Sequence, residues 1–161
     1  MSERSNIEVV KASPLAVDLM DEQSAALADI IDIETLNDGA VLIREGHVDH
    51  RLYVVISGEL AVTKQSGGGE TMTLHCLNAG DLAGAMGFVD GLEHSATLIS
   101  SGKTEVFSIE RQRLEALIAT QGELVYQVMR AIIRTGHNIV RRMNNQHVEL
   151  TNYINRQSGR Y

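Results

Sequence analysis

The chain has 161 residues, of which 43% are apolar and only 4% aromatic, so it can form one domain with a core of aliphatic side chains and methionine. Its 14 basic residues against 21 acidic ones give a formal charge of -7, which disfavours a nucleic acid or a membrane surface as partner. The single cysteine, Cys76, cannot form an intramolecular disulfide, and we find no signal peptide or membrane span, so we expect a cytoplasmic protein.

Residues 1–12 carry no firm pattern, and we expect a loosely held lead-in there. Ser13 followed by Pro14 is a typical pair for the start of a helix, and apolar residues continue after them. A second helix is predicted over 24–31, where apolar side chains recur three and four positions apart. We expect these N-terminal helices, residues 13–31, to lay one apolar stripe on a larger body.

Between residues 33 and 109 the pattern becomes that of short strands separated by glycine-rich turns. Two of the turns, Ser57-Gly58 and Ser101-Gly102-Lys103, are each expected to join a pair of strands. The strands that we place are 33–36, 40–43, 51–56, 60–64, 71–77, 96–100 and 105–109, and the strand over 51–56 is expected to be buried. Many short strands at regular spacing predict a mainly β fold with flanking helices, an eight-stranded jelly roll or double-stranded β-helix.

The pattern is helical from residue 111 to about 155, with a short helix over 111–119 and a long one over 123–154. Apolar residues of the long helix alternate steps of four and three, which is a heptad seam. The seam contains Val125, Met129, Ile132, Gly136, Ile139 and Met143 and continues through Gln146, Leu150 and Tyr153. It predicts a homodimer through this helix. A second apolar row, made of Val128, Ile133, Val140 and Val148, leaves packing on the β domain open, alone or in addition.

The stretch from residue 80 to 97 is rich in glycine, at Gly80, Gly84 and Gly87. Glycines let a backbone or a ligand approach closely, and a short helical turn after Gly84 would present free amide N–H groups to an anion. This stretch is therefore a candidate ligand cassette. The candidate ligand-binding residues are Gly84, Ala85, Met86, His94, Ser95 and Ala96.

Three segments resemble signatures of cyclic nucleotide-binding domains. The first contains Gly39, Glu45-Gly46, Asp49, Leu52-Tyr53 and Ser57-Gly58, the second is Asn78-Ala79-Gly80-Asp81-Leu82 with Gly84, and the third is Ser95-Ala96-Thr97. The resemblance covers residues 15–155, and the layout is most similar to the effector domain of bacterial regulators of the cAMP receptor protein type. It implies a regulatory module whose effector is cAMP, cGMP or a cyclic dinucleotide.

Two residues of the cassette depart from the pattern of this family. Ala85 stands where the family usually has Glu, which accepts the ribose 2′-hydroxyl, and His94 stands where it usually has Arg, which pairs with the cyclic phosphate. Each loss should weaken cAMP binding by about 1.5–3 kcal/mol. In an ungapped alignment, the base-contacting hydroxyls become Ile139 and Val140. His94 either becomes cationic beside an anion or is a solvent-facing loop histidine, and Glu93 is a candidate for contacting a sugar.

Transcription factors of this family carry a helix-turn-helix after the long helix, whereas residues 155–161 are all that follows it in this sequence. The arginines of the long helix are expected to be solvated, and the net negative charge disfavours DNA. We therefore expect no nucleic acid and no membrane as partner, and an output through a downstream protein.

Two other interpretations are left open. In one, the cassette has lost its ligand and the chain is a dimerisation or protein-interaction module. In the other, the jelly roll is a cupin-like metal enzyme. Its candidate ligands would be Glu45, His47, His50, His75 and His94. The spacing argues against a metal site, because cupins have two histidines one residue apart and here the first two are three apart. Cys76 is expected to be a small buried hydrophobe and not a nucleophile. From these patterns together we predict no catalytic residue, no metal and no certain cofactor.

Overall fold

The structure is a computed structural model that describes residues 4–159. Residues 1–3 and 160–161, the two ends of the predicted single domain 1–161, lie outside the described residues. The helices are α1 (Asn6–Lys11), α2 (Asp21–Ala28), α3 (Ala85–Asp90), α4 (Arg111–Glu115) and α5 (Gly122–Ser158), and a 3₁₀ turn covers Pro14–Ala16. The strands are β1 (Ile31–Leu36), β2 (Val41–Ile43), β3 (Arg51–Gln65), β4 (Thr71–Asn78), β5 (Leu82–Ala83) and β6 (Thr97–Glu110).

The N-terminal segment is more ordered than the sequence led us to expect, and the prediction of a loose lead-in is wrong for α1. Ser5 Oγ accepts the N–H of Glu8 at 3.4 Å, and Glu8 Oε2 accepts the N–H of Ser5 at 3.0 Å. This reciprocal capping box starts the helix. Val9 and Val10 of α1 are buried against the rest of the domain, and that burial supplies the stability that so short a helix lacks alone.

All six strands belong to one antiparallel sheet, in the order β1-β6-β3-β4, with β2 paired to β6 and β5 to β3. The expected eight strands are not confirmed. The turns predicted at Ser57-Gly58 and Ser101-Gly102-Lys103 lie inside the continuous strands β3 and β6. The ladder between these two strands shifts register on both sides of Ser57. Gly58 has φ +87°, and a Cβ there would lie 2.5 Å from the carbonyl oxygen of Lys103, so this irregularity requires glycine.

Each long strand contributes its two halves to two layers of the sheet. Residues 51–57 of β3 pair with 105–110 of β6, next to β1 and β5, whereas residues 59–63 pair with 97–101, next to β2 and β4. Side chains from both layers form one core between them. This inner core contains Leu36, Ile43, Tyr53, Val55, Leu60, Val62, Leu77, Ala83, Leu98 and Val106. The sheet therefore folds over on itself around an aliphatic interior.

The strand predicted to be buried over 51–56 is enclosed on both faces. Tyr53 and Val55 point into the inner core, whereas Leu52 and Val54 point to the opposite face, as the two-residue period of a strand requires. A second core lies on that opposite face. There the strands pack against α1, α2, α4 and the first part of α5.

The long helix α5 begins in this second core and continues beyond it. Leu124, Val128, Ala131 and Ile132 are buried, but from residue 133 onward the helix is almost entirely exposed. The predicted seam is therefore divided, because its first three members pack on the same chain and its later members do not. None of the helices formed by residues 4–159 has a stretch apolar enough, over enough residues, to span a bilayer.

Candidate functional site

The cassette forms one wall of a cavity of about 260 Å³ against the inner core. All six predicted ligand-binding residues, Gly84, Ala85, Met86, His94, Ser95 and Ala96, line this cavity. The strands supply its apolar wall, for example through Val62 and Leu98, and α5 supplies Ile139. The volume is close to the lower end of the range for small-molecule pockets in proteins.

Two glycines of the cassette lie against the His94 ring. Gly84 has φ +73°, and a Cβ there would lie 3.2 Å from the carbonyl oxygen of Arg51 and 3.4 Å from His94 Cε1. At Gly87, a Cβ would lie 3.1 Å from both His94 Cε1 and the carbonyl oxygen of Leu92. Gly87 therefore makes room for the imidazole, whereas Gly84 is required by its positive φ and by the close carbonyl of Arg51.

His94 is buried, with only 8% of its surface exposed, so the alternative of a solvent-facing loop histidine is wrong. Its backbone N–H donates to the carbonyl of His47 at 2.9 Å, and its own carbonyl accepts the N–H of Gly46 at 2.8 Å. Its ring Nε2 lies 2.8 Å from Asp49 Oδ1. Because a carboxylate only accepts, this contact assigns the hydrogen to Nε2.

Asp49 also joins the histidine to a buried tyrosine. The hydroxyl of Tyr53 donates to Asp49 Oδ2 at 3.1 Å, so one carboxylate holds two side chains. Burial, and then the nearby Asp49 charge, raise the pKa of Tyr53 far above its usual value. Tyr53 therefore remains a neutral donor, and the Tyr53–Asp49–His94 chain fixes the imidazole in one orientation.

The other ring nitrogen of His94, Nδ1, is the polar group that this arrangement leaves for the cavity. It faces Gly87, where a Cβ would lie 3.3 Å away, and it makes no hydrogen bond to any residue between 4 and 159. With the hydrogen on Nε2, Nδ1 is an acceptor, and protonation of the ring turns it into a second donor. The chemistry available here is a directed contact to one polar or anionic group.

The remaining lining that residues 4–159 form is mostly apolar and contains no lysine or arginine. Glu93, His75 and Ser95 add polar atoms, whereas the Ala85 methyl can accept no hydrogen bond. Met86 is 72% exposed and lies at the rim. Helix α3 has six residues, so its backbone amides alone make a weak anion site.

The residues considered for a metal enzyme do not assemble. Among residues 4–159, no group of three or more His, Cys, Asp or Glu side chains is placed to hold a metal ion. His75 lines the cavity, but Glu45 and His47 line a separate polar groove next to Ser66. Cys76 is exposed, so the prediction of a buried cysteine is wrong. Its pKa is raised, first by a hydrogen bond to Glu59, and this disfavours the reactive thiolate.

The sequence did not single out Asp49 and Tyr53 as parts of the site. Both belong to the segment that resembles the first family signature, and Tyr53 lies in the strand over 51–56 that the sequence predicts to be buried. The signal that could have found them is the pairing of a buried-strand tyrosine with an aspartate four residues earlier. The partner of that aspartate, His94, is 45 residues away in the chain and could not be inferred locally.

Comparison with known proteins gives one consistent result. The model of the cyclic nucleotide-binding domain family matches residues 33–121. The cAMP-dependent protein kinase regulatory subunit of Dictyostelium discoideum is 29% identical over 98 residues, which are 59% of this chain and 30% of that protein. The cyclic AMP receptor protein of Thermus thermophilus is 29% identical over 109 residues, 68% of this chain and 50% of that protein. The chain thus spans half or less of the length of these relatives.

Solved structures agree on the fold. A cyclic nucleotide-binding domain from Methylobacillus flagellatus superposes with a TM-score of 0.79 at 22% identity, over 90% of this chain and 82% of the other. The Thermus thermophilus catabolite activator protein gives a TM-score of 0.67 at 28% identity, over 86% and 62%. The regulatory subunit of a cAMP-independent protein kinase A from Trypanosoma brucei gives 0.69 at 19% identity, over 83% and 46%.

Proposed function

Because the chain belongs to the cyclic nucleotide-binding domain family, we propose that it is a non-enzymatic, bacterial-type regulatory module that senses a cyclic nucleotide or another small anionic ligand. The relatives named above include a receptor protein and regulatory subunits of protein kinases. We place the module in the cytoplasm, where a free, exposed cysteine such as Cys76 is stable.

The observation that carries this proposal is the position of His94 Nδ1. The ring stands where the family usually has its phosphate-binding arginine, is locked by Asp49, and turns its free nitrogen toward the cavity wall beside Gly87. A protonated ring would donate Nδ1–H to an anion while Nε2–H remains on Asp49. The site thus retains one directed contact to an anion after losing the guanidinium.

The output of the module would pass through α5. Ile139 of this helix lines the same cavity as the cassette, so a bound ligand would contact both elements. Such a ligand would favour the arrangement of cassette and helix that it fits best, which is a population shift. We propose that the helices of two copies associate and that a downstream protein partner responds to their arrangement.

A second candidate is a cassette without a nucleotide ligand, acting as a dimerisation or protein-interaction module. The observation in its favour is the lining, to which the described part of the chain contributes no lysine or arginine and in which Ala85 replaces a sugar-binding carboxylate. The fold is shared by a cyclic AMP receptor protein and by the regulatory subunit of a cAMP-independent protein kinase A.

Calorimetric titration with cAMP, cGMP and cyclic dinucleotides separates the two candidates. Sensing predicts heat of binding and a thermal shift with at least one ligand at millimolar concentration. The double variant Ala85→Glu/His94→Arg is the positive control, because Asp49 is already placed to pair with an arginine at 94. It should bind cAMP about 10²- to 10⁴-fold more tightly, since two lost contacts of about 1.5–3 kcal/mol return. Binding by the double variant alone would support the ligand-free candidate.

A further inference from the structure

The interior of the cassette cavity is aliphatic except for one side chain. The buried lining residues within 4–159 are Ile43, Val62, Leu77, Leu82, Ala83, Gly87, His94 and Leu98. Of these buried residues, His94 alone has a polar side chain. The polar lining residues His75, Glu93 and Ser95 are exposed and lie at the rim. A molecule in the interior therefore has apolar walls around it and one polar side chain to contact.

The free ring nitrogen of His94 is open to this interior. Nδ1 has no hydrogen-bond partner among residues 4–159, and it is not one of their fully enclosed unpaired atoms, so a molecule in the cavity can reach it. The residue as a whole is only 8% exposed. A polar atom on so buried a residue costs free energy when it is left without a partner. Nδ1 is therefore the atom to which the polar end of a ligand can hydrogen-bond.

The charges around His94 favour a ligand that adds no net charge to the cavity. Asp49 lies 2.8 Å from Nε2, and Glu93 adds a second carboxylate at the rim. The described residues contribute no lysine or arginine to the lining, and α5 contributes the apolar Ile139. A monoanion that binds with one proton leaves the net charge as it was. A dianion would bring an additional negative charge into an apolar space.

The size and walls of the cavity favour a small ligand with an apolar body. At about 30 Å³ per water molecule, a volume of about 260 Å³ holds roughly nine waters, which corresponds to roughly ten non-hydrogen atoms. A cyclic mononucleotide has about twice as many atoms and would place its polar ribose and base against aliphatic walls. Ala85 and Ile139 offer those polar groups no hydrogen bond. An aromatic or branched aliphatic body gains free energy from the same walls.

We propose that the cavity binds a small monocarboxylic acid with an aromatic or branched aliphatic body, and that the acid binds together with one proton. Its carboxylate accepts Nδ1–H of the protonated His94 ring, while Nε2–H stays on Asp49. Its apolar body packs on Val62, Leu77 and Leu98. This inference rests on the ligand sensing proposed above and names the class of ligand.

Calorimetry with matched small molecules tests the ligand class. Hydrocinnamate, isocaproate, the amide of each and cAMP are titrated into the full chain. Each acid should bind with a Kd of about a millimolar or lower at about pH 6, and about 10- to 100-fold more tightly than its amide, which has the same shape but no charge. Binding of cAMP without binding of either acid would overturn this inference and leave the proposed sensing intact. Binding of no probe at all would contradict both.

The pH dependence tests the proton. The titratable groups around the ring are Asp49 and Tyr53 behind it and His75 and Glu93 at the rim. Because the carboxylate pairs with a protonated imidazole, the affinity for hydrocinnamate should fall about tenfold or more between about pH 6 and 8.5, where imidazoles lose their proton. The affinity for the amide should change little. A carboxylate affinity that is constant over this range would refute the proton-coupled contact.

Histidine variants locate the proton. His94→Gln should weaken hydrocinnamate binding about 10- to 100-fold and remove its pH dependence. His147→Gln is the matched control, since His147 is exposed on α5 and should leave both unchanged. If His75→Gln rather than His94→Gln removes the pH dependence, the proton is taken up at the rim and the proposal is wrong.

Nitrogen NMR of the histidine rings tests the same contact without a substitution, so the result does not depend on whether His94→Gln folds. Before hydrocinnamate is added at about pH 7.5, Nδ1 of His94 should give the signal of an unprotonated ring nitrogen. At saturation it should give the signal of a protonated one, while Nε2 keeps its hydrogen. Binding without any change at Nδ1 would exclude His94 as the contact of the carboxylate.

Discussion

Asp49→Asn is expected to loosen the site, because the Asp49 carboxylate holds both His94 and Tyr53. The two hydrogen bonds measure 2.8 Å and 3.1 Å, and such bonds to a charged group contribute about 1.5–3 kcal/mol each. Asp49→Asn should not remove both contributions in full, because 33% of the Asp49 side chain is exposed and asparagine can still accept from Nε2–H. We expect a loss of about 1–2 kcal/mol in the free energy of unfolding and a Tm lowered by about 2–8 °C.

Urea denaturation and thermal melts of matched variants measure this effect. Asp21→Asn is the control, because Asp21 is 90% exposed and pairs with Lys11 at the surface, so we expect a change below about 0.5 kcal/mol. Combining Asp49→Asn with Tyr53→Phe should be less than additive by about 0.5–1.5 kcal/mol, since both remove one shared bond. If Asp49→Asn changes stability no more than Asp21→Asn does, the carboxylate does not hold the site together and the argument fails.

Three further predictions concern Tyr53, Gly58 and Cys76. Tyr53 should remain protonated when exposed tyrosines ionise near pH 10, because its pKa in the folded state is raised. Its contribution to stability should therefore be complete below about pH 10 and be lost only as the pH rises further. The tyrosinate absorbance of wild type and of Tyr53→Phe should coincide up to about pH 11. Gly58→Ala should destabilise the domain by about 2–5 kcal/mol in urea, because the new Cβ meets the carbonyl of Lys103 at positive φ, and an unchanged midpoint would contradict the close approach. Glu59→Gln should lower the pKa of Cys76 and speed its alkylation at pH 8 several-fold, whereas a slower reaction would contradict the assigned cause.

The sequence pattern predicted those features of the fold that depend on local periodicity. The apolar run over 51–56 indicated a buried strand, and the structure encloses it between two cores. The glycine at 58 indicated a break but not its kind. A positive-φ glycine serves a hairpin turn and a bulge equally well, so the local residues do not reveal whether the chain turns back or continues. Here β3 continues and pairs with β6 on both sides of Gly58, through contacts that are distant in sequence.

The candidate site, like the fold, was only partly predictable from the sequence. The glycine spacing and the signature segments pointed to six candidate ligand residues. In the structure all six line one cavity. The state of His94 was not accessible, because its sequence neighbours Gly91 and Glu93 are typical of a surface turn. Its burial is imposed by Asp49 and by the backbone of residues 46 and 47, which belong to another loop. A cap such as the Ser5–Glu8 box could have been found in the sequence, but the burial of Val9 and Val10 that stabilises α1 could not.

Ile139 links ligand sensing to the proposed association of two α5 helices, because it lines the cavity and is 40% exposed on α5. A ligand that contacts Ile139 differently in the monomer and in the dimer must change the dimerisation constant. By linkage, dimerisation changes the affinity of each site, and filling both sites of the dimer changes the dimerisation constant by the product of the two site factors. We expect a coupling of about 5- to 150-fold. Ligand affinity measured well below and well above the dimer dissociation constant gives one side of this equality, and sedimentation with and without ligand gives the other. Ile139→Ala should reduce both factors together. Equal ligand affinities at the two protein concentrations would exclude α5 as the route by which the cavity reports its occupancy.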